Sequence, residues 1–217
     1  MRRRCAVIAG ASGLVGRSCL DALLASDHYS SVVALLRRPL DIVSPKLVQR
    51  VVSFDRIEPA AELPEGVAFC ALGTTIRKAG SQEAFRKVDF EYAVNFAKWA
   101  RQGGASRFVL VSSVDASSKS SNFYLRVKGE VEDAVRGLGF ETVHILRPSF
   151  LLGDRGEERL GERMGIAAAK AMQFALLGGL RRYRPVEASA VAAAMSRAGL
   201  REETGVHIWR WQEISNG

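Results

Sequence analysis

Residues 5–16 read CAVIAGASGLVG, an apolar run that enters a turn with three glycines and continues into a helical pattern. The glycine spacing is G-x-x-G-x-x-G. In such a turn Gly10 permits a tight bend, Gly13 lets a diphosphate approach the backbone amides at the helix N-terminus, and Gly16 lets the helix pack close to the strand. The stretch therefore predicts a strand, a dinucleotide-binding turn and a helix. A tight turn that binds nothing is the alternative that this motif alone leaves open.

The composition fits one soluble domain, because the chain has 217 residues and 47% of them are hydrophobic, enough for a full core. The apolar run at 5–9 is too short to span a bilayer, and no cleavage site of a secretory signal follows it. Cys5, Cys19 and Cys70 lie in apolar contexts without metal-like spacing, so we expect reduced thiols. These features predict a cytoplasmic protein without a membrane segment or a metal site.

The formal charge of +8, with arginine clusters at 2–4 and 181–184, would suit a nucleic-acid ligand. However, no predicted helix carries a continuous basic stripe with interleaved aromatic residues, and a phosphate-rich cofactor also requires cations. We therefore favour a small phosphorylated ligand over nucleic acid.

Strand and helix patterns alternate along the chain, which is typical of a parallel sheet with helices on both faces. Strands are predicted at 5–9, 31–36, 47–54, 67–70, 107–112, 141–146 and 207–211. Helices are predicted at 14–25, 82–102, 122–138, 160–177 and 189–200. The predicted fold class is α/β, a Rossmann-like doubly wound parallel sheet. It forms one domain over residues 1–217, with a short C-terminal substrate-side extension mainly in 148–217.

The long predicted helix carries an apolar stripe. Five of its side chains recur at intervals of three and four residues, namely Phe85, Val88, Tyr92, Phe96 and Trp99. This spacing places them on one helical face. We therefore predict that these side chains belong to the core and not to a ligand site.

Polar residues at the ends of the predicted strands bear on the choice of cofactor. The second strand ends in Arg37 and Arg38, where an NAD-selective enzyme usually carries an acidic residue for the ribose 2′-hydroxyl. Guanidinium groups suit a 2′-phosphate, so the pair favours NADP(H), with two solvated loop arginines as the alternative. Asp55 could accept a hydrogen bond from the adenine amino group or be a plain turn residue. Gly73 lies where the backbone would pass the cofactor ribose, or is needed only for the turn.

Catalytic chemistry is indicated by Tyr124 and Lys128, a Y-x-x-x-K pair that lies on one face of a predicted helix. A lysine ammonium beside the phenol lowers the tyrosine pKa, so the hydroxyl can exchange a proton with a substrate oxygen near neutral pH. A serine at the end of the preceding strand would fix that oxygen. Ser113 is the preferred candidate and Ser112 is its close rival.

These features together resemble an atypical short-chain dehydrogenase/reductase. The resemblance rests on the glycine turn, residues 111–113, the Tyr124 and Lys128 pair and residues 146–153. More specific runs, at 69–75, 78–80, 120–124 and 128–132, resemble the Tat-interacting-protein type of NADPH-binding oxidoreductase. The resemblance implies cofactor contacts from Ser12, Gly13, Leu14, Val15, Arg37, Arg38, Leu72, Gly73, Tyr124, Lys128, Leu151 and Arg159.

The chain departs from this pattern in the glycine turn, where Leu14 and Val15 stand at positions that are often polar in that family. Many members of the wider family use an asparagine of the long central helix to hold a water for proton relay. Here Asp89 and Asn95 both lie on that helix, and the sequence does not choose between them.

The function expected from these observations is hydride transfer between NADP(H) and a carbonyl or alcohol substrate, with Tyr124, Lys128 and Ser113 as catalytic residues. The alternative is a regulatory protein that binds NADPH and contacts a protein partner without turnover. Limited chain after residue 153 implies an open, shallow substrate pocket. A monomer and a homodimer both fit the sequence.

Overall fold

The computed structural model describes residues 4–59, 63, 66–152 and 178–216. Its main sheet has seven strands in the order β3-β2-β1-β4-β5-β6-β9, and every neighbouring pair is parallel. The strands are β1 (Arg4–Ala9), β2 (Tyr29–Leu36), β3 (Leu47–Val51), β4 (Val67–Cys70), β5 (Arg107–Val111), β6 (Thr142–Leu146) and β9 (Gly205–Trp209). A second, two-stranded sheet pairs β7 (Leu151–Leu152) with β8 (Val186–Glu187). The predicted doubly wound parallel sheet is therefore confirmed.

The described helices connect these strands and cover both faces of the sheet. They are α1 (Leu14–Ala25), α2 (Ile76–Ala79), α3 (Gln82–Arg86), α4 (Ala93–Gln102), α5 (Phe123–Arg136), α6 (Ala188–Leu200) and α7 (Trp211–Ser215). A π-helical segment, Lys87–Tyr92, joins α3 to α4, and a 3₁₀ helix spans Gly178–Tyr183. The helix predicted at 160–177 lies outside the described residues.

The central strands are apolar on both faces, so they divide the core into two layers. In β1, Ala6 and Ile8 contribute to the layer covered by α1 and α6. Val7 and Ala9 contribute to the layer covered by α4 and α5. All four residues of β4 are buried as well. This two-sided burial explains why the strands read as continuous apolar runs in the sequence.

The turn after β1 leaves no room for a side chain at two of its glycines. Gly10 adopts a left-handed φ of 90°, and a Cβ there would lie 2.4 Å from the Ala71 carbonyl oxygen. A Cβ on Gly16 would lie 2.0 Å from the Gly10 carbonyl oxygen. Gly13, at the N-terminus of α1, donates its amide to the same oxygen at 2.9 Å. These contacts hold α1 tightly against the carboxyl end of β1.

The C-terminal part of the chain contributes more to the core than the predicted substrate-side role of 148–217 implies. Strand β9 extends the main sheet beyond β6, and α6 packs against α1. His144, in β6, is fully buried and accepts a hydrogen bond from the indole nitrogen of Trp209. Residues 148–152, 178–187 and 210–216 are described residues of this part that follow the carboxyl ends of β6 and β9 or lie beside them.

The long helix predicted at 82–102 is interrupted. In the π-helical segment each turn holds about one residue more than a turn of α-helix. As a result, Asp89 and Ala93 occupy buried positions in the middle of the 82–102 region. Phe85, Phe96 and Trp99 of the predicted apolar stripe are buried in the core, as predicted. Val88 and Tyr92 of the same stripe are only partly buried. The assumption of an uninterrupted 3.6-residue period was wrong for these two residues.

The contact between Gly16 and Gly10 gives a stability prediction. Gly16→Ala forces a methyl group against backbone atoms, so we expect the free energy of unfolding to fall by about 2 kcal/mol. Urea denaturation of the native chain and the variant measures this difference. Gly137→Ala is the matched control, because a Cβ there meets Ala134 O at an ordinary 3.5 Å. Equal losses in the two variants would contradict the prediction.

Candidate active site

The loops that follow β1, β2 and β4 meet at the carboxyl edge of the sheet. The strand order reverses there, because β2 lies on one side of β1 and β4 lies on the other. Ligands of doubly wound sheets bind at this reversal. A cleft lies there in the structure. Its lining comprises Gly10, Ala11, Ser12, Gly13, Leu35, Leu36, Arg37, Phe54, Ala71, Leu72, Gly73, Val88 and Tyr92.

Six residues predicted to bind a cofactor line this cleft together, namely Gly10, Ser12, Gly13, Arg37, Leu72 and Gly73. Three others of the glycine turn do not line it. Val15 is buried in the core, Leu14 packs against the same layer, and Gly16 lies against the Gly10 carbonyl. Only backbone groups of Leu14 and Val15 are therefore placed to serve a ligand at the N-terminus of α1.

The two arginines after β2 are not equivalent. Both side chains are exposed, but Arg37 lines the cleft whereas Arg38 does not. Asp55 is also outside the lining, and its carboxylate pairs with Lys87 at 2.9 Å and accepts a hydrogen bond from the Tyr92 hydroxyl at 3.1 Å. The hydrogen bond from Lys87 lowers the pKa of Asp55. Asp55 thus links the loop after β3 to the π-helical segment at the rim of the cleft.

Two aromatic side chains form a wall of the cleft that sequence reasoning missed. The rings of Phe54 and Tyr92 are 5.7 Å apart and tilted by 31°. Tyr92 belongs to the predicted apolar stripe and packs against the core layer of α4 and α5, but within the π-helical segment it also lines the cleft together with Val88. No periodicity signal in the sequence marks this interruption.

A buried ion pair lies beside Gly73, one of the residues that line the cleft. Lys128 Nζ is 2.7 Å from Asp89 Oδ1, and the two side chains are 9% and 0% exposed. The other carboxylate oxygen of Asp89 accepts a hydrogen bond from the Thr74 amide at 2.8 Å. A Cβ on Gly73 would lie 3.4 Å from the Asp89 carboxylate. The pair therefore joins the π-helical segment, the loop after β4 and α5.

The ion pair keeps Lys128 charged. Burial alone would lower the pKa of Lys128, but the charges of Asp89 and the nearby Tyr124 outweigh it, so the pKa is raised. The structure also separates the two candidates on the long helix. Asp89 contacts Lys128, whereas the Asn95 amide donates to the Phe54 carbonyl oxygen at 2.9 Å.

Tyr124 and Lys128 both lie on α5, one turn apart. Tyr124 is partly buried, and its ring packs 5.6 Å from that of Phe85. Asn122 caps the helix by accepting a hydrogen bond from the Leu125 amide at 3.1 Å. The start of α5, and with it the position of Tyr124, is therefore set by a local capping signal.

The two serines after β5 differ in their partners. Ser112 donates its hydroxyl to Glu132 Oε1 at 2.6 Å, in a buried contact. Ser113 is a buried residue too, and we find no hydrogen bond from its hydroxyl to any part of the chain that the structure describes. Ser112 is thus engaged in a structural contact, whereas Ser113 keeps its hydrogen-bonding capacity.

Glu132 forms a second buried carboxylate site, one turn beyond Lys128 on α5. Arg147 binds it in bidentate fashion, with Nε 2.9 Å from Oε1 and Nη2 2.5 Å from Oε2. Arg136 Nη2 donates to the same carboxylate at 3.3 Å. This network ties α5 to the carboxyl ends of β5 and β6. Nothing in the sequence pattern singled out Glu132.

The remaining predicted site residues lie on the C-terminal side. Leu151 is in β7 and is partly buried against the core layer of α1. Arg159 lies outside the described residues.

A family model described as NAD(P)H-binding matches residues 10–166 of the chain. This range includes the glycine turn, the cleft and both buried carboxylate sites. The chain therefore belongs to this NAD(P)H-binding family.

Relatives of this chain support the resemblance to the Tat-interacting-protein type. Protein HTATIP2 of Rattus norvegicus is 40% identical over 167 residues, which span 75% of this chain and 69% of that protein. Protein FMP52, mitochondrial, of Candida glabrata is 32% identical over 207 residues, 93% of this chain and 88% of that protein. The predicted relationship is thereby confirmed.

Solved structures share the fold at low sequence identity. MoeE5 in complex with UDP-glucuronic acid and NAD has a TM-score of 0.69 at 18% identity, covering 94% of this chain and 74% of that one. Human epimerase family protein SDR39U1 with NADPH has a TM-score of 0.63 at 18% identity, covering 95% and 74%. Both belong to the same Rossmann-like architecture.

The predicted cytoplasmic location is wrong as a conclusion from the sequence. Fungal relatives that are 34%, 36% and 32% identical to the chain are named mitochondrial. Reduced, buried cysteines do not distinguish these compartments, which explains the error. Among the described residues, no helix combines the length and apolar character needed to cross a bilayer.

The Glu132 network gives a prediction for this site. Glu132→Gln leaves the charge of Arg147 without its carboxylate, so we expect the free energy of unfolding to fall by about 3 kcal/mol. Chemical denaturation measures the loss. The control is Asp133→Asn, since Asp133 is 53% exposed and pairs only with Arg136 at 3.3 Å among the described residues. The prediction fails if both variants are equally stable.

Proposed function

We propose that this protein is an NADP(H)-dependent oxidoreductase that acts on a carbonyl or alcohol group. The observation that carries the proposal is the buried Lys128 ammonium, one helical turn from Tyr124, at the carboxyl edge that also holds the glycine-lined cleft. A charged lysine, a phenol and a serine hydroxyl that has no hydrogen-bond partner among the described residues are groups suited to carbonyl reduction at such an edge.

The cleft fits a dinucleotide. Gly13 lines the cleft directly before α1 and has no side chain, so a diphosphate could approach the backbone amides at the N-terminus of this helix. Arg37 would hold a 2′-phosphate at the end of β2, and the wall of Phe54 and Tyr92 would face the adenine. Leu72 and Gly73 would border the ribose that carries nicotinamide.

The bound nicotinamide would supply or accept the hydride. Tyr124 would donate a proton from its hydroxyl to the carbonyl oxygen during reduction, and would recover it from the alcohol in the reverse direction. Ser113 would hold the same oxygen by donating a hydrogen bond. Lys128 would stabilise the resulting phenolate electrostatically and donate to ribose hydroxyls.

Asp89 has a supporting role in this proposal. Its carboxylate keeps the buried Lys128 protonated and directs one of the three ammonium hydrogens away from the ligand side. The Thr74 amide fixes the carboxylate in turn. Asp89 therefore positions Lys128 without itself meeting the substrate.

Cofactor choice gives one test. Arg37→Ala is expected to weaken NADPH binding about 10-fold or more and to leave NADH binding nearly unchanged, because only NADPH carries the 2′-phosphate. Fluorescence titration of the purified protein with each nucleotide measures both dissociation constants. Arg38→Ala is the matched variant and should have the smaller effect, since its side chain lies outside the cleft lining. Equal loss of NADPH and NADH binding would contradict the assignment.

Catalysis gives the second test. Tyr124→Phe removes the proton donor and keeps the ring, so NADPH oxidation with 4-nitrobenzaldehyde should fall about 100-fold or more while NADPH affinity is retained. Absorbance at the nicotinamide band follows the rate. An active native protein whose rate is unchanged in Tyr124→Phe would exclude the proposed acid. Tight NADPH binding without turnover of any aldehyde would instead favour the regulatory, partner-binding alternative.

A further inference from the structure

A polar cluster outside the cofactor cleft lies beside the loop that carries Ser113. Tyr183 donates its hydroxyl to Asp115 Oδ2 at 2.5 Å. Arg182 Nη2 donates to the same tyrosine oxygen at 2.9 Å, and Arg182 Nη1 lies 3.7 Å from Asp115 Oδ1. Asp115, Arg182 and Tyr183 therefore connect the 3₁₀ helix to the loop after β5.

The chain itself sets how close this cluster lies to the proposed catalytic serine. Asp115 follows Ser113 by two residues, so their Cα atoms are within about 7 Å. Asp115 is the one non-glycine residue with a positive φ in the described chain, at 57°. Such a conformation is held only where surrounding contacts compensate for it, and here Tyr183 and Arg182 provide them.

The cluster leaves a cation available to a ligand. Arg182 is 53% exposed, and its distance of 3.7 Å from Asp115 makes an ion pair but not a hydrogen bond. The guanidinium has five N–H donors, and among the described residues one of them is donated in a hydrogen bond, to the Tyr183 hydroxyl oxygen. Arg147, which follows β6 at the same edge, is instead held in bidentate contact by the buried Glu132.

The neighbouring sequence adds to the positive charge. Arg181 is exposed next to Arg182, and Asp115 is the one carboxylate found in contact with Arg182 among the described residues. Arg184 lies 5.2 Å from the Trp211 ring, which fixes the far end of the segment. An exposed guanidinium that is only partly neutralised and lies beside the proposed reaction site is suited to a carboxylate or phosphate.

We propose that Arg182 binds an anionic group of the substrate, a carboxylate or a phosphate, several bonds away from the carbonyl that Ser113 and Tyr124 would hold. This inference rests on the proposed function and defines its substrate class. Asp115 and Tyr183 are positioning residues that orient the guanidinium toward the loop of Ser113.

The test uses the protein saturated with NADP⁺, so that aldehydes bind without being reduced. Isothermal titration compares 4-formylbenzoate with methyl 4-formylbenzoate, two probes that differ in the negative charge. We expect the acid to bind at least about 10-fold more tightly than the ester, and we expect Arg182→Gln to abolish this difference. Arg101→Gln is the control, because Arg101 is exposed at the opposite edge of the sheet, where it donates to the Gly139 carbonyl oxygen.

Two results would overturn the inference: equal affinity of the native protein for acid and ester, or a preference for the acid that persists in Arg182→Gln. A separate assay of NADPH oxidation with the same two aldehydes tests the proposed function. An Arg182-dependent preference for the acid without any oxidation would support the anion site and overturn the proposed oxidoreductase activity.

Discussion

The ion pair between Asp89 and Lys128 is the contact on which the arrangement of this edge depends. Two charges that are nearly inaccessible to water are stable only when they face one another, because either one alone would be strongly destabilising. The pair also fixes its surroundings, since the Thr74 amide binds the free carboxylate oxygen. The π-helical segment, the loop after β4 and α5 are consequently held in fixed relative positions. The ion pair thereby also fixes the positions of Gly73 and of the backbone of Tyr124.

Glu132 repeats this arrangement one turn further along α5. There the carboxylate receives the Ser112 hydroxyl and two arginines, and so binds the helix to the ends of β5 and β6. Helix α5 is thus held by two ion pairs, Lys128 with Asp89 and Glu132 with Arg147. Removal of one partner from either pair would leave the charge of the other without its counterpart. Its first turn, which carries Tyr124, is held instead by the Asn122 cap and by the packing of the Tyr124 ring against Phe85.

The features that could be predicted from the sequence are those encoded locally. Glycine spacing specified the turn at Gly10, and apolar runs between helical patterns specified a parallel sheet, since both depend on neighbouring residues. Asp89 and Glu132 acquire their roles from partners far away in the chain, so spacing could not reveal them. The choice between Ser112 and Ser113 needed the contact with Glu132, and the orientation of Tyr92 needed the π-helical segment.

The packing of α1 against α6 has a consequence for the order in which the protein matures on the ribosome. Helix α1 is made before β2, but α6, which packs against it, spans Ala188–Leu200 and is made after β6. During synthesis the part of α1 that α6 covers therefore stays exposed until strands β1 to β6 have been translated. Nascent chains with such exposed faces depend on chaperones to prevent aggregation. The glycine turn and α1 therefore complete their packing only after α6 has been made.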